Sequence, residues 1–257
     1  MVDDGIFARL EAFELESALA VGDSGDTLIV SLKDRSVHLW RRAAAGGPYA
    51  RVNRSLKKGR RPLLDMAYNG RANRLAAASG DEEIRIWRTS GKGRVSSIES
   101  FPGGSASVVL SPDGTLVAAA GQAGVGLWHV PSRRRVAVLQ TGAQHHTVRF
   151  SASHRCIAAT AAGRSVRMWD VVSATPLAEV AADAAIDDLS MTLAGERIAA
   201  LDQAGQLYVW KMSEEALSQI ETPFTGEEVA RRISEQPAVP SGKGRRGIFG
   251  RITEVFQ

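Results

Sequence analysis

The side chains able to do acid–base, nucleophilic or metal chemistry are few, and their spacing argues against a reaction centre. The five histidines are His38, His129, His145, His146 and His154. His38 and His129 flank tryptophans in strand-like runs, where packing accounts for them. His145 and His146 are adjacent, so on a strand their rings point to opposite faces and do not converge on one metal. His154 reads as part of a nearby turn. A lone cysteine, Cys156, closes neither a disulfide within the chain nor a Cys-based zinc cage. Its run Cys156-Ile157-Ala158-Ala159 is that of a buried strand thiol. The paired carboxylates Asp187-Asp188 fall at a strand start, with nothing to place them in a cleft. No Gly-x-Ser-x-Gly elbow, phosphate-cradling Gly-x-x-x-x-Gly-Lys-Ser/Thr loop or His-Glu-x-x-His pair occurs. The expectation is a chain that is not an enzyme: no catalytic residue, no cofactor, no metal and no small-molecule substrate.

Positive charge is the other chemistry in the sequence, and it is clustered. One group is Lys57, Lys58, Arg60 and Arg61; a second is Arg133, Arg134 and Arg135. Such groups are either solvated surface or contacts for an acidic partner, whether peptide, phosphate-bearing lipid or RNA. RNA fits least, because neither cluster is interleaved with the aromatics that stack bases. A third group lies near the C-terminus, where Lys243, Arg245, Arg246 and Arg251 stand against Glu254. There Ile248, Phe249, Ile252, Val255 and Phe256 are spaced to share one face of a helix. A basic leader before a short aromatic amphipathic helix suits an anionic membrane, a partner's groove, or the chain's own domain. A helix this short, with about three net charges, holds lipid only weakly by itself.

Composition sets the frame for these groups. With 257 residues, 44% hydrophobic and 23% charged, the chain can bury a core, which excludes wholesale disorder. No apolar stretch approaches the ~18 residues of a membrane span. Met1-Val2-Asp3-Asp4 is acidic where a signal peptide is basic. The expected location is the cytoplasm. A net charge of +4 permits acidic partners without demanding nucleic acid.

The elements that must position these groups follow from the tryptophans. Trp40, Trp87, Trp128, Trp169 and Trp210 are separated by 47, 41, 41 and 41 residues. Before each comes a short apolar run, a turn of small or polar residues, then an alternating run ending in Trp. Examples are Leu75-Ala76-Ala77-Ala78 with Ile84-Arg85-Ile86-Trp87, and Ile198-Ala199-Ala200-Leu201 with Leu207-Tyr208-Val209-Trp210. The alternation is strand periodicity, and the Gly, Asp and Ser clusters are turns. Further short runs such as Ser107-Val108-Val109-Leu110 and Arg135-Val136-Ala137-Val138-Leu139 complete four strands per period. That is the content of one β-propeller blade.

These repeats resemble the WD40-repeat family. Ser111-Pro112-Asp113-Gly114 matches the family's turn between first and second strands, Met168-Trp169-Asp170 keeps its Trp-Asp pair, and Asp34-Arg35-Ser36-Val37-His38-Leu39-Trp40 matches its third-strand hairpin. The resemblance spans about residues 17–209. It implies an all-β fold, a β-propeller of about five four-stranded blades, acting as a scaffold for protein–protein interaction. The family's polar network uses an acid six residues before Trp and a His from a Gly-His pair. Those six-before positions hold Asp34, Asp81, Gln122, Gly163 and Ala204, and no Gly-His pair occurs. The network is therefore expected to be missing or altered, with Asp81 capping its own turn.

Two domains are expected. Residues 1–215 form the propeller, with residues 5–13 able to supply a closing strand; five blades of a larger propeller is the competing arrangement. Residues 216–257 form a helical and linker tail: Thr225-Gly226-Glu227-Glu228 is a capping box, and Gln236 to Gly242 a linker. Ile220-Glu221-Thr222-Pro223 and the run from Arg246 to Gly250 also resemble the tail of the tomosyn and lethal-giant-larvae family. That resemblance implies the alternative role of a membrane-fusion regulator contacting SNARE proteins or anionic membrane.

Overall fold

Each tryptophan period folds into one antiparallel sheet in the computed structural model. It describes residues 15–22, 25–32, 36–43, 47–56, 61–90, 95–141, 144–153, 155–161, 164–192 and 195–214. The first sheet joins β1 (Leu15–Val21), β2 (Thr27–Leu32), β3 (Val37–Arg42) and β4 (Tyr49–Leu56). The second joins β5 (Leu63–Asn69), β6 (Arg74–Ser79), β7 (Glu83–Arg88) and β8 (Val95–Glu99). The third joins β9 (Ser107–Leu110), β10 (Leu116–Gly121), β11 (Gly124–His129) and β12 (Arg134–Thr141). The fourth joins β13 (Val148–Phe150), β14 (Cys156–Ala161), β15 (Ser165–Asp170) and β16 (Pro176–Ala181). The fifth has three strands among the described residues, β17 (Ile186–Met191), β18 (Arg197–Asp202) and β19 (Leu207–Lys211). The architecture is all-β, and among the described residues no helix is long and apolar enough to cross a membrane.

The repeat is exact at the level of register. Every tryptophan lies in the third strand, opposite Leu28, Leu75, Val117, Ile157 or Ile198 of the second. Side chains alternate between faces along a strand, so this fixed pairing aims every indole the same way. Each of the last four indoles then packs on the preceding sheet, while Trp40 packs with Val30 and Leu32 of its own sheet. Trp87 joins Ile29, Val37 and Leu39 of the first sheet. Trp128 joins Ile84, Ile86 and Ile98 of the second. Trp169 joins Leu116, Val125 and Leu127 of the third, and Trp210 packs against Ala158, Val166 and Met168 of the fourth. The sheets thus stack in sequence order, an arrangement compatible with a propeller. Their indole and aliphatic side chains fill the seams.

Successive sheets also run in the same sense, because the first strands lie side by side. Asp65 of β5 accepts from Ser107 Oγ and the Val108 amide of β9, both at 2.9 Å. Ser107 in turn accepts from the Val148 amide of β13 at 3.4 Å. Arg149 of β13 pairs with Asp188 of β17 at 2.8 Å.

The polar network is altered and differs from sheet to sheet. In the first, Arg51 donates to His38 Nδ1, and His38 Nε2 lies 2.8 Å from Ser36 Oγ. In the second, Asp81 does more than cap its turn: it accepts from Ser79 and from the Arg85 guanidinium across the hairpin. Burial raises the Asp81 pKa, but the bonds from Arg85 and Ser79 outweigh it and hold the carboxyl below its ordinary range. In the fourth, His145 enters from the loop before β13 and donates from Nδ1 to the Thr160 carbonyl. Thr160 Oγ1 accepts from the amides of His146 and Thr147 at 3.0 and 3.2 Å. His145 and His146 therefore precede the strand and do not alternate along it. The buried indole N–H of Trp87 has no hydrogen-bond partner among the described residues. The proposed closing strand, residues 5–13, the tail from residue 215 onward and His154 lie outside the described residues.

Candidate functional site

Parallel stacking gathers the same kind of turn at the same end of every sheet. One end carries the connections between first and second and between third and fourth strands. Its strand termini and turns bring together Arg41, Arg42, Arg71, Arg74, Arg88, Arg133, Arg134, Arg197 and Lys211, against Asp26, Asp113, Asp170 and Glu196. The opposite end carries Asp81, Glu82, Glu83, Glu99, Asp183, Asp187 and Asp202, against Arg61, Arg85 and Arg164. The charge of the described sheets is thus divided end to end, a field that steers acidic groups to one side.

Hydrogen bonds between neighbouring turns make the basic end rigid. Asn69 donates to the carbonyls of Ser111 and Pro112 at 2.9 and 2.8 Å and accepts from the Ala72 amide at 2.9 Å. Arg74 reaches across to the Gly114 carbonyl. Asp113 accepts from Ser111 Oγ, and from both the amide and hydroxyl of Thr115. The positive field is felt locally: burial first, and the Arg74 charge second, hold His129 below the usual imidazole pKa.

A cleft of about 560 Å³ opens at this end where the first and second sheets meet. Gly22, Asp26, Thr27 and Arg41 form one wall, and Tyr68, Gly70, Arg71 and Asn73 the other. A Cβ on Gly22 would lie 3.2 Å from Tyr68 and 3.3 Å from the Thr27 Cβ, so glycine lets the tyrosine ring close the floor. Asp26 accepts from Thr27 Oγ1 at 2.9 Å. Arg42 stacks 5.7 Å over Tyr49, whose hydroxyl donates to the Gly25 carbonyl. Arg41 and Arg71 are exposed, and neither forms an ion pair among the described residues. Two guanidinium groups facing one cleft from different sheets can receive carboxylate or phosphate bidentately.

The residues singled out in the sequence separate into three groups. Arg133, Arg134 and Arg135 are exposed at the basic end; Arg133 lies in the turn at φ 59°, and Arg134 and Arg135 begin β12 and are not part of the connection. Arg61 is exposed beside β5 at the opposite, acidic end, so the two basic clusters do not form one surface. Lys57, Lys58, Arg60, Arg245, Arg246, Ile248, Phe249, Ile252, Val255 and Phe256 lie outside the described residues. Cys156 is buried, and burial pushes its thiol up to about 11. Among the described residues no group of three or more His, Cys, Asp or Glu is placed to hold a metal ion.

The cleft residues escaped the sequence reading because Arg41 and Arg71 lie thirty positions apart and belong to no run of three or more basic residues. A signal did exist. The residue after Trp is basic in three of the five repeats, at Arg41, Arg88 and Lys211, and stacking collects those positions at one end. Compared with models of known protein families and with curated protein sequences, the chain finds no match in either.

Proposed function

We propose that the chain is a non-catalytic interaction scaffold of the WD40 type, an open propeller-like stack of five blades whose basic end holds an acidic segment of a protein partner. The observation that supports this most is the cleft with Arg41 and Arg71 on opposite walls, neither in an ion pair among the described residues, with Asp26 the one carboxylate among the described lining residues. Loops already held by Asn69, Asp113 and Arg74 lose little entropy on binding, so contact energy goes into recognition. Nucleic acid is a poorer ligand, since Tyr68 is the one aromatic among the described residues lining the cleft.

A fluorescent Glu-rich peptide tests the reading by anisotropy against the full chain. Binding should weaken with salt, as exposed charge pairs do, and Arg41→Glu with Arg71→Glu should reduce it at least tenfold while the melting curve stays in place. Charge reversal at Arg61, on the other end, should leave it unchanged. Equal affinity for the reversed cleft, or equal affinity for a Lys-rich peptide, would remove the proposal.

A further inference from the structure

We propose that the chain's own residues 248–256 dock on the outer face of the fifth sheet, across Leu201, Leu207 and Val209, independently of any partner at the basic end. The positions one and three residues before each tryptophan carry the argument. In the first four sheets they are Val37 and Leu39, Ile84 and Ile86, Val125 and Leu127, Val166 and Met168, and none is more than 4% exposed. Their equivalents in the fifth sheet, Leu207 and Val209, are 66% and 59% exposed, with Leu201 paired beside Leu207 at 43%. Single exposed leucines mean little, but a contiguous apolar face on a sheet marks a docking surface. In the first four sheets this face lies under the next sheet's tryptophan. Residues 211–257 do not carry the tryptophan hairpin on into another repeat.

The one remaining tryptophan face of the stack is not the occupant. Trp40, Val30 and Leu32 of the first sheet are already buried, at 4%, 4% and 7% exposed. That closes both self-contact and head-to-tail contact with a second copy through this face. The sequence that emerges from β19, the strand bearing Leu207 and Val209, supplies a tethered occupant. It contains a helix-spaced apolar set of matching size, Ile248, Phe249, Ile252, Val255 and Phe256. Thirty-odd residues separate Glu214 from Ile248, and at about 3.3 Å each they reach any point on this sheet. Tethering places the segment at roughly millimolar effective concentration, above that of any free competitor in a dilute sample.

Charge fixes the orientation. Asp188 stands opposite Leu201 at one end of the face, and Arg197 pairs with Lys211 at the other. Arg245 and Arg246 precede the apolar set and Glu254 lies near its end. The basic leader therefore sits toward Asp187 and Asp188, and Glu254 toward Arg197 and Lys211.

Cross-linking in the full chain tests this. Leu207→Cys with Phe249→Cys, oxidised in dilute solution, should form a disulfide within the monomer at least tenfold faster than Val138→Cys with Phe249→Cys, whose first position is an exposed residue of the third sheet. Buried Cys156 can stay in place. In a separate Leu207→Cys chain, Phe249→Asp with Phe256→Asp should raise labelling of the new thiol several-fold; unchanged labelling would argue against the docked segment. Equal closure rates for the two pairs, no closure, or a disulfide-linked dimer would each overturn the proposal, the dimer assigning the face to a second copy. Val209→Cys replaces Leu207→Cys should the first variant melt early.

Discussion

All six residues of β11, from Gly124 to His129, are buried, whereas along β19 Leu207, Val209 and Lys211 face solvent. Both strands are third in their sheets, both end near a tryptophan, and both alternate in the same phase. The difference lies in what surrounds them. β11 is paired on both edges, by β10 and β12, and has the second sheet on one face and the fourth on the other. Among the described residues β19 is paired on one edge only and packs on one face only. Even the residue two before Trp has adapted. In β11 it is Gly126, where a Cβ would come within 2.8 Å of Phe101 and so block the ring that meets Trp128 edge-on at 5.4 Å. In β19 it is Tyr208, stacked flat on Trp210 at 5.3 Å. Strand periodicity thus chooses which face is apolar, and the order of stacking decides whether that face is closed.

The sharpest way to break this comparison is to remove the two indoles. Trp128→Ala empties a closed seam and should cost about 4 kcal/mol of unfolding free energy, a large share of a domain's whole stability. Trp210→Ala at the open sheet should cost about 1–2 kcal/mol, since the ring is half-exposed and its neighbours can relax. Urea titration followed by circular dichroism measures both. Equal losses would mean that the fifth sheet is as closed as the third.

Ion pairs repeat the contrast on a smaller scale. Arg85 and Asp81 are 7% and 9% exposed inside the second sheet, with Ser79 completing the contact. Asp81→Asn should cost about 2 kcal/mol, because it leaves the buried Arg85 guanidinium with only Ser79 at 3.1 Å and the more exposed Glu83 at 3.3 Å. Arg149 and Asp188 bridge the fourth and fifth sheets at 36% and 63% exposed. Asp188→Asn should cost about 0.5 kcal/mol or less. Thermal melts of the two variants, compared at the same pH, check the ratio.

The tryptophan spacing made the five sheets legible in advance, along with the hairpins and the Ser111-Pro112-Asp113-Gly114 turn. These are local patterns, in which residues a few positions apart share a strand or a turn. Closure of the last sheet was not legible, because Leu207-Tyr208-Val209-Trp210 reads the same covered or bare. The basic end was half legible. Arg133, Arg134 and Arg135 announce themselves by adjacency, while Arg41 and Arg71 meet only after two sheets have stacked. Arg61 shows the converse, since clustering along the chain did not place it on the same surface as Arg133.

Proton binding separates closed seams from open surface by the smallest effect. His145 sits in the loop joining the third sheet to the fourth and is fully buried; Nδ1 donates to the Thr160 carbonyl, while Nε2 has no hydrogen-bond partner among the described residues. Burial lowers its pKa below 6.5, the Thr160 carbonyl pulls it part of the way back, and the charges of Arg167 and His146 lower it further. The imidazole is therefore neutral in the folded chain at pH values where the unfolded chain already binds a proton. Stability is intact above about pH 6.5 and falls as the pH drops toward the folded value, the unfolded state taking up the extra proton. His129 contributes in the same direction. Melting temperature followed from pH 8 to pH 5 should decline, and His145→Gln should flatten the decline while lowering the plateau at pH 8. A slope unchanged by His145→Gln but abolished by His129→Gln would place the acid sensitivity at the solvent-facing basic end and not in the seam between sheets.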